Sequence, residues 1–188
     1  SPHQFSTNLL LLHVDAHTDI YRGAYNQDYM RYNVATTFTR AAEEGLIDTN
    51  ASLHIGPRGP TMDNSVFEHT REVGFQLIDG DDLFETGLLK TADNLVEQLK
   101  DRTVYLCFDM DFFDPSCAPG VCTPTWGGAT AREGLGFLRK LKGLNIVGAD
   151  INTVSPPHDV GGMTAFLAGA VALEILTLFC YAQNLITE

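Results

Sequence analysis

The chain has 188 residues, 44% of them hydrophobic and 19% charged, which is the balance of a globular protein able to bury a core without staples and excludes a disordered or fibrous chain. Its 12 Lys and Arg face 24 Asp and Glu, a formal charge of −12. That excludes a basic nucleic-acid footprint and opposes docking on an anionic membrane. Length predicts one domain.

In chain order, the amino end SPHQFSTN has no basic region or cleavage site, so no signal peptide is expected and the location is read as cytoplasmic. Leu9 to Val14 is a continuous aliphatic run of the kind found in a strand covered on both faces. Thr36 to Gly45 reads as a helix closed by Gly, Leu53 to Gly56 as a short strand, Asn64 to Val73 as a helix and Phe75 to Ile78 as a strand. Asp81 is the expected cap of one helix running through Lys100, with Leu83, Leu88, Leu95 and Leu99 on its apolar face. Val104 to Phe108 is a buried strand, Ala131 to Leu141 a helix, Leu144 to Ala149 a strand and Thr164 to Tyr181 a closing helix. The apolar run Met163 to Ala182 is long enough to span a membrane, but Thr164, Glu174 and Thr177 interrupt it and no basic flank follows, so a buried core helix is predicted. Short strands alternating with longer helices imply βαβ crossovers and a parallel sheet. The fold class is therefore α/β, with no repeat or linker. Cys107, Cys117, Cys122 and Cys180 form no CxxC pair and read as small buried hydrophobes in a reducing compartment.

Two strands end in carboxylates. LLLLHV runs into Asp15-Ala16-His17-Thr18-Asp19, and VYLCF runs into Asp109-Met110-Asp111. Ligands of open α/β sheets sit beyond the carboxyl ends of strands, where both clusters fall. Converging buried carboxylates repel one another unless cations neutralise them. Along an extended segment residues i and i+2 share a face, so Asp15 with His17, and Asp109 with Asp111, are expected to point together. Oxygen donors with one imidazole suit Mn, and imidazole also suits Ni or Zn. Asp114-Pro115 reads as a turn.

DAHTD and FDMDFFDPSCAPG resemble the two signature blocks of the ureohydrolases, the group that contains arginase and agmatinase. FTRAAEEGLID with LHIGPRG is similar to the agmatinase branch, and GADINTVSPPHDVGGMTAFLAG resembles the family's last block. The resemblance implies an arginase-like three-layer sandwich around a mostly parallel sheet. It also implies two divalent metal ions, Mn or Ni, with Asp15 and Asp109 bridging both, His17 and Asp111 completing one and Asp19 binding the other. Such a pair activates water for attack on a guanidinium carbon, releasing urea and an amine. Asp19 and Asp111 are the candidate catalytic residues, and Asn152, Thr153 and His158 the candidate substrate contacts. The implied partners are a small guanidine-type substrate and further copies in a trimer or hexamer, with no nucleic acid and no membrane.

Three departures from the family pattern qualify this reading. The earlier GGxHS block has no counterpart, so the expectation is one domain over 1–188 without that His ligand and the first strands; His3 and His13 are poor substitutes, His13 lying within a strand. Val34, or Asn33, stands where many members carry a proton-shuttling His. Thr153 replaces a Glu that grips the guanidinium, and INTVSPPHD resembles the guanidine-hydrolase branch. Arginine is an unexpected substrate because Tyr21 and Arg22 follow DAHTDI. A second hypothesis is a non-catalytic subunit that assembles with an active relative. His54 and His69 read as structural. Trp126 and Phe112-Phe113 read as pocket wall, core or interface.

Overall fold

A computed structural model describes residues 8–22 and 31–186. The amino end read for a signal peptide, His3 included, lies outside them.

Five strands form one parallel sheet in the order β3-β2-β1-β4-β5. They are β1 (Leu9–Val14), β2 (Leu53–Ile55), β3 (Gln76–Ile78), β4 (Thr103–Asp109) and β5 (Asn145–Asn152). The helices are α1 (Thr37–Glu43), α2 (Val66–Glu72), α3 (Gly80–Thr86), α4 (Leu88–Leu99), α5 (Ala131–Lys140) and α6 (Met163–Ala182).

Strand alternation builds two unequal layers on the sheet. Leu10, Leu12 and Val14 of β1, Leu53 and Ile55 of β2, and Val104, Leu106 and Phe108 of β4 point to one side. There they meet Leu83, Leu95, Phe137 and Ile175 of α3 to α6. Each fully buried aliphatic side chain contributes about 1.5–3 kcal/mol, so this layer carries most of the apolar stabilisation. The other side is thinner, with Leu11 and Cys107 against Ile20, Phe38 and Phe75. His13, His54 and Tyr105 alternate onto this thinner side, which makes it the polar face of the sheet.

Three expectations are corrected. The helix foreseen from Asp81 to Lys100 is two helices, because Gly87 adopts φ 90° and stops α3 before α4 begins. The cap is Asp79, whose side chain accepts the Asp82 N–H at 3.0 Å. α6 is not a buried core helix: Thr164, Val171, Ile175 and Leu178 pack inward, while Phe166 is 81% and Leu173 64% exposed. It is apolar on all sides but covered on one, and among the described residues it is the one helix long and apolar enough to cross a membrane. Thr130 caps α5 in a reciprocal box with Glu133, which explains why that helix starts where the sequence indicates. All four cysteines are free; Cys107 is buried, but Cys122 is exposed, contrary to the expectation of burial.

Candidate metal centre

β1 and β4 are neighbours in register, Val14 opposite Phe108, so the residues after them emerge at one level of the sheet edge. On its other side β1 keeps its ladder with β2 past the strand ends: Asp15 N–H donates to Ile55 O at 3.0 Å and Arg58 N–H to Ala16 O at 2.9 Å. Gly56 allows this approach, since a Cβ there would lie 2.7 Å from the Phe112 ring and 3.1 Å from Asp15 O, at a φ of +97°.

Arg58 ties the site loops together. Its Nη2 donates to Asp111 O at 2.9 Å and Thr125 O at 2.8 Å, its Nε to Trp126 O at 3.2 Å and its Nη1 to Gly56 O at 3.2 Å. One planar guanidinium thereby satisfies backbone carbonyls of two loops.

Asp15, Asp109 and Asp111 are 2%, 5% and 1% exposed. Asp15 Oδ1 accepts the His17 N–H at 2.7 Å and faces His17 Nδ1 at 3.2 Å. Asp111 Oδ2 faces the same Nδ1 at 3.1 Å and accepts the Thr123 hydroxyl at 3.0 Å, while its Oδ1 accepts the Ala16 N–H at 3.1 Å. Asp15, His17 and Asp111 can thus offer ligand atoms to one cation. A second set shares Asp15 and joins it to His13 and Asp19. Asp109 enters neither set; its Oδ1 accepts the Asp111 N–H at 2.8 Å and the Thr153 hydroxyl. The expectation that Asp109 and Asp111 share the face of one extended segment is corrected, because Met110–Phe112 is a 3₁₀ turn that brings Asp111 back over Asp109.

The electrostatics are those of a site built for positive charge. Burial pushes the Asp109 carboxyl up to about 9, with the Asp15 and Asp111 charges adding to it. Burial and the Asp15 charge likewise push Asp19 up to about 7. Burial acts against ionised Asp15 too, but the His13 ring beside it holds this carboxyl well below the usual range. Burial opposes a charged His17, yet its bonds to Asp111 and Asp15 raise it to about 10. Carboxylate oxygens with imidazole nitrogen fit divalent Mn, Ni or Zn, and the surplus of desolvated carboxyls gives such ions a reason to be held.

The other candidates fall around this cluster. Thr153 has φ 62° and spends its hydroxyl on Asp109. Asn152 Nδ2 donates to Asp150 Oδ1 at 2.6 Å and Cys107 Sγ at 3.1 Å, and Asp150 Oδ2 accepts the Tyr105 hydroxyl at 2.7 Å. His158 is exposed in a 3₁₀ turn, its Nδ1 at 2.7 Å from Ser155 Oγ. Val34 is 84% exposed. Trp126 is exposed, whereas Phe112 and Phe113 are core. Sequence reasoning sets His13 aside as a strand residue and a poor substitute ligand, but its Nε2 lies 2.8 Å from Asp15 Oδ2. The alternation argument applied to Asp15 and His17, read one step backward, would have found it.

The chain matches the Arginase family over residues 2–178. It belongs to the arginase family. It is 39% identical over 174 residues to agmatinase of Photorhabdus laumondii, covering 90% of this chain and 51% of that one. It is 35% identical over 166 residues to the mitochondrial guanidino acid hydrolase of Homo sapiens, covering 88% of this chain and 46% of that one. Among solved structures, proclavaminate amidinohydrolase of Streptomyces clavuligerus superposes with a TM-score of 0.84 at 38% identity, over 93% of this chain and 57% of that one. The chain spans about half the length of the curated relatives it matches. The arginase-like α/β fold with a parallel sheet, expected from the motifs, is the one observed.

Proposed function

We propose that this chain carries the paired-metal centre of an amidinohydrolase that cleaves a guanidino C–N bond, releasing urea and an amine or ammonia. The observation that carries this reading is the convergence of Asp15, His17 and Asp111 on one point at the ends of adjacent strands, with Asp19 brought to the other side of Asp15. Asp15, His17, Asp19, Asp109 and Asp111 would hold two divalent cations, Mn or Ni. When bound, such a pair supplies an activated water and positive charge beside the reacting carbon. Asp19 and Asp111 would accept a hydrogen bond from that water and orient it. Asn152, Thr153 and His158 would line the substrate.

Agmatine and a guanidino acid are substrate candidates supported by the names of the relatives, and guanidine itself is a third, supported by the resemblance of INTVSPPHD to the guanidine-hydrolase branch. A carboxylate at position 153 would offer a charged hydrogen bond of about 1.5–3 kcal/mol to a guanidinium; a threonine hydroxyl offers a neutral one. That difference favours a small substrate held mainly at the metal end. The same reading includes a homo-oligomer, supported by the open apolar face of α6, and a cytoplasmic location, supported by four free thiols.

The test is a screen of guanidine, agmatine, guanidinobutyrate and biguanide-like compounds with Mn or Ni supplied and urea as readout, alongside elemental analysis. Near two ions per chain with urea from at least one compound supports the proposal. Below one ion per chain and no urea supports a non-catalytic subunit instead, a reading favoured by exposed Val34 and by Thr153.

A further inference from the structure

Beneath the carboxylate cluster, on the thin face of the sheet, lie two histidines that the proposed reaction does not use. His13 and His54 are opposite one another on β1 and β2 and are 1% and 0% exposed. Their Nδ1 atoms are 2.9 Å apart, so one hydrogen lies between them. The second nitrogen of His13, Nε2, meets Asp15 Oδ2 at 2.8 Å. His54 is wedged edge-on between rings: its centroid is 4.7 Å from Phe75, 5.9 Å from Phe38 and 5.0 Å from His13. Its Nε2 has no hydrogen-bond partner among the described residues. Cys107, opposite His13 on β4, also interacts with the His13 ring, and its thiol accepts the Asn152 amide.

Burial favours an imidazole with both nitrogens partnered, a condition that His13 meets and His54 does not. His54 satisfies one side of His13 and leaves it a single productive orientation, with Nε2–H aimed at Asp15. His54 itself is steered by ring packing, since its far nitrogen is left unpartnered. We infer that His13 is a positioning residue that clamps the carboxylate of Asp15 through Nε2–H, and that His54 fixes His13 in that orientation. This inference rests on the metal-centre reading above. Asp15 lies between the His17–Asp111 side of the site and Asp19, so a rotation of its carboxylate would disturb both sides at once. A partner that fixes the orientation of a ligand typically changes metal affinity by about 10- to 100-fold. His13 is distinguished from a direct ligand by having no nitrogen to spare: Nδ1 is engaged by His54 and Nε2 by Asp15.

The experiment has two arms on the full chain. Nitrogen-15 imidazole NMR of the unsubstituted protein, zinc-loaded and metal-stripped, is expected to show a hydrogen on His13 Nε2 in both states. A bare Nε2 in the zinc-loaded state means direct ligation and overturns the inference. The second arm compares zinc retention in His13→Leu and His13→Gln by competition with a chelator. Loss of about 10- to 100-fold in the Leu variant, with recovery to within a few-fold in the Gln variant, whose amide can still donate to Asp15, supports positioning. Equal retention in the Leu variant overturns it. Should both variants fail to fold, the NMR arm decides alone. An unsubstituted chain that retains neither zinc nor Mn nor Ni removes the proposed function, while the stripped-state spectrum still decides whether His13 donates to Asp15.

Discussion

Strands β1 and β4 run side by side and deliver acids to the same edge, yet the two ends treat those acids in opposite ways. At the β1 end Asp15 sits between His13 and His17, and its carboxyl is held well below the ordinary range. At the β4 end Asp109 meets, among the described residues, a backbone N–H and the Thr153 hydroxyl but no positive group, and burial pushes it up to about 9. The same residue type, equally buried and adjacent in the sheet, thus has a resident counter-charge at one end and lacks one at the other. The β1 end is the part of the site the protein can neutralise by itself. The β4 end is where an external cation gains most.

Substitution of the two acids breaks the comparison most directly. Asp15→Asn and Asp109→Asn are both expected to lower urea release at least about a thousandfold, or about 4 kcal/mol in barrier, since each removes a proposed bridging oxygen. In the metal-stripped protein they are expected to part company. Asp15→Asn takes the charged partner from buried His13, which costs of order 3 kcal/mol and roughly 6–12 °C in Tm. Asp109→Asn removes a carboxyl with no counter-charge and raises Tm. Scanning calorimetry after chelation checks the signs, and shifts in the same direction would remove the contrast.

Acidity sharpens it. A carboxyl raised in the folded state contributes stability that is full below its unfolded pKa near 4 and is lost as pH climbs through about 9. The stripped protein should therefore lose Tm steadily from pH 5 to pH 9, and Asp109→Asn should flatten that slope. Asp15, lowered in the folded state, contributes stability that is present above pH 4 and is lost on further acidification. Added Mn or Ni is expected to recover the Tm lost at high pH in the unsubstituted chain and not in Asp109→Asn.

Smaller effects belong to the supports. Arg58→Lys keeps the charge but loses the fork that reaches Asp111 O and Thr125 O together, a cost of about 1–3 kcal/mol with weakened metal retention. Thr130→Ala removes a cap on α5, away from both strand ends, and should cost about 1 kcal/mol in chemical denaturation while leaving metal retention unchanged.

What could be seen in the sequence followed how local the cause was. β1 and β4 were legible because a strand buried on both faces is a continuous apolar run, and their closing carboxylates stood out against it. Gly87 was not recognised as a break because the leucines continue the helical spacing across it, and only its positive φ parts α3 from α4. The 3₁₀ turn at Met110–Phe112 is set by Asp109 accepting the Asp111 N–H, a local bond that a strand-end reading overlooks. His13 was seen as a strand residue but not as the partner of Asp15, since its role depends on His54, which arrives from β2. The half-open α6 escaped for a similar reason: an all-apolar helix tells how much surface wants cover, not how much receives it.

The order of the sheet has a kinetic consequence. Ala16 N–H meets the Asp111 side chain across 95 positions of chain, and β2, α2, β3, α3 and α4 all intervene. Closing a loop over such a span costs entropy that local helix contacts do not, so the two acid-bearing ends are expected to meet after the intervening helices begin to form. Cations that bind only the closed pair of strand ends are then expected to slow the separation of β1 and β4 more than they speed their pairing, which folding and unfolding rates with and without metal would show.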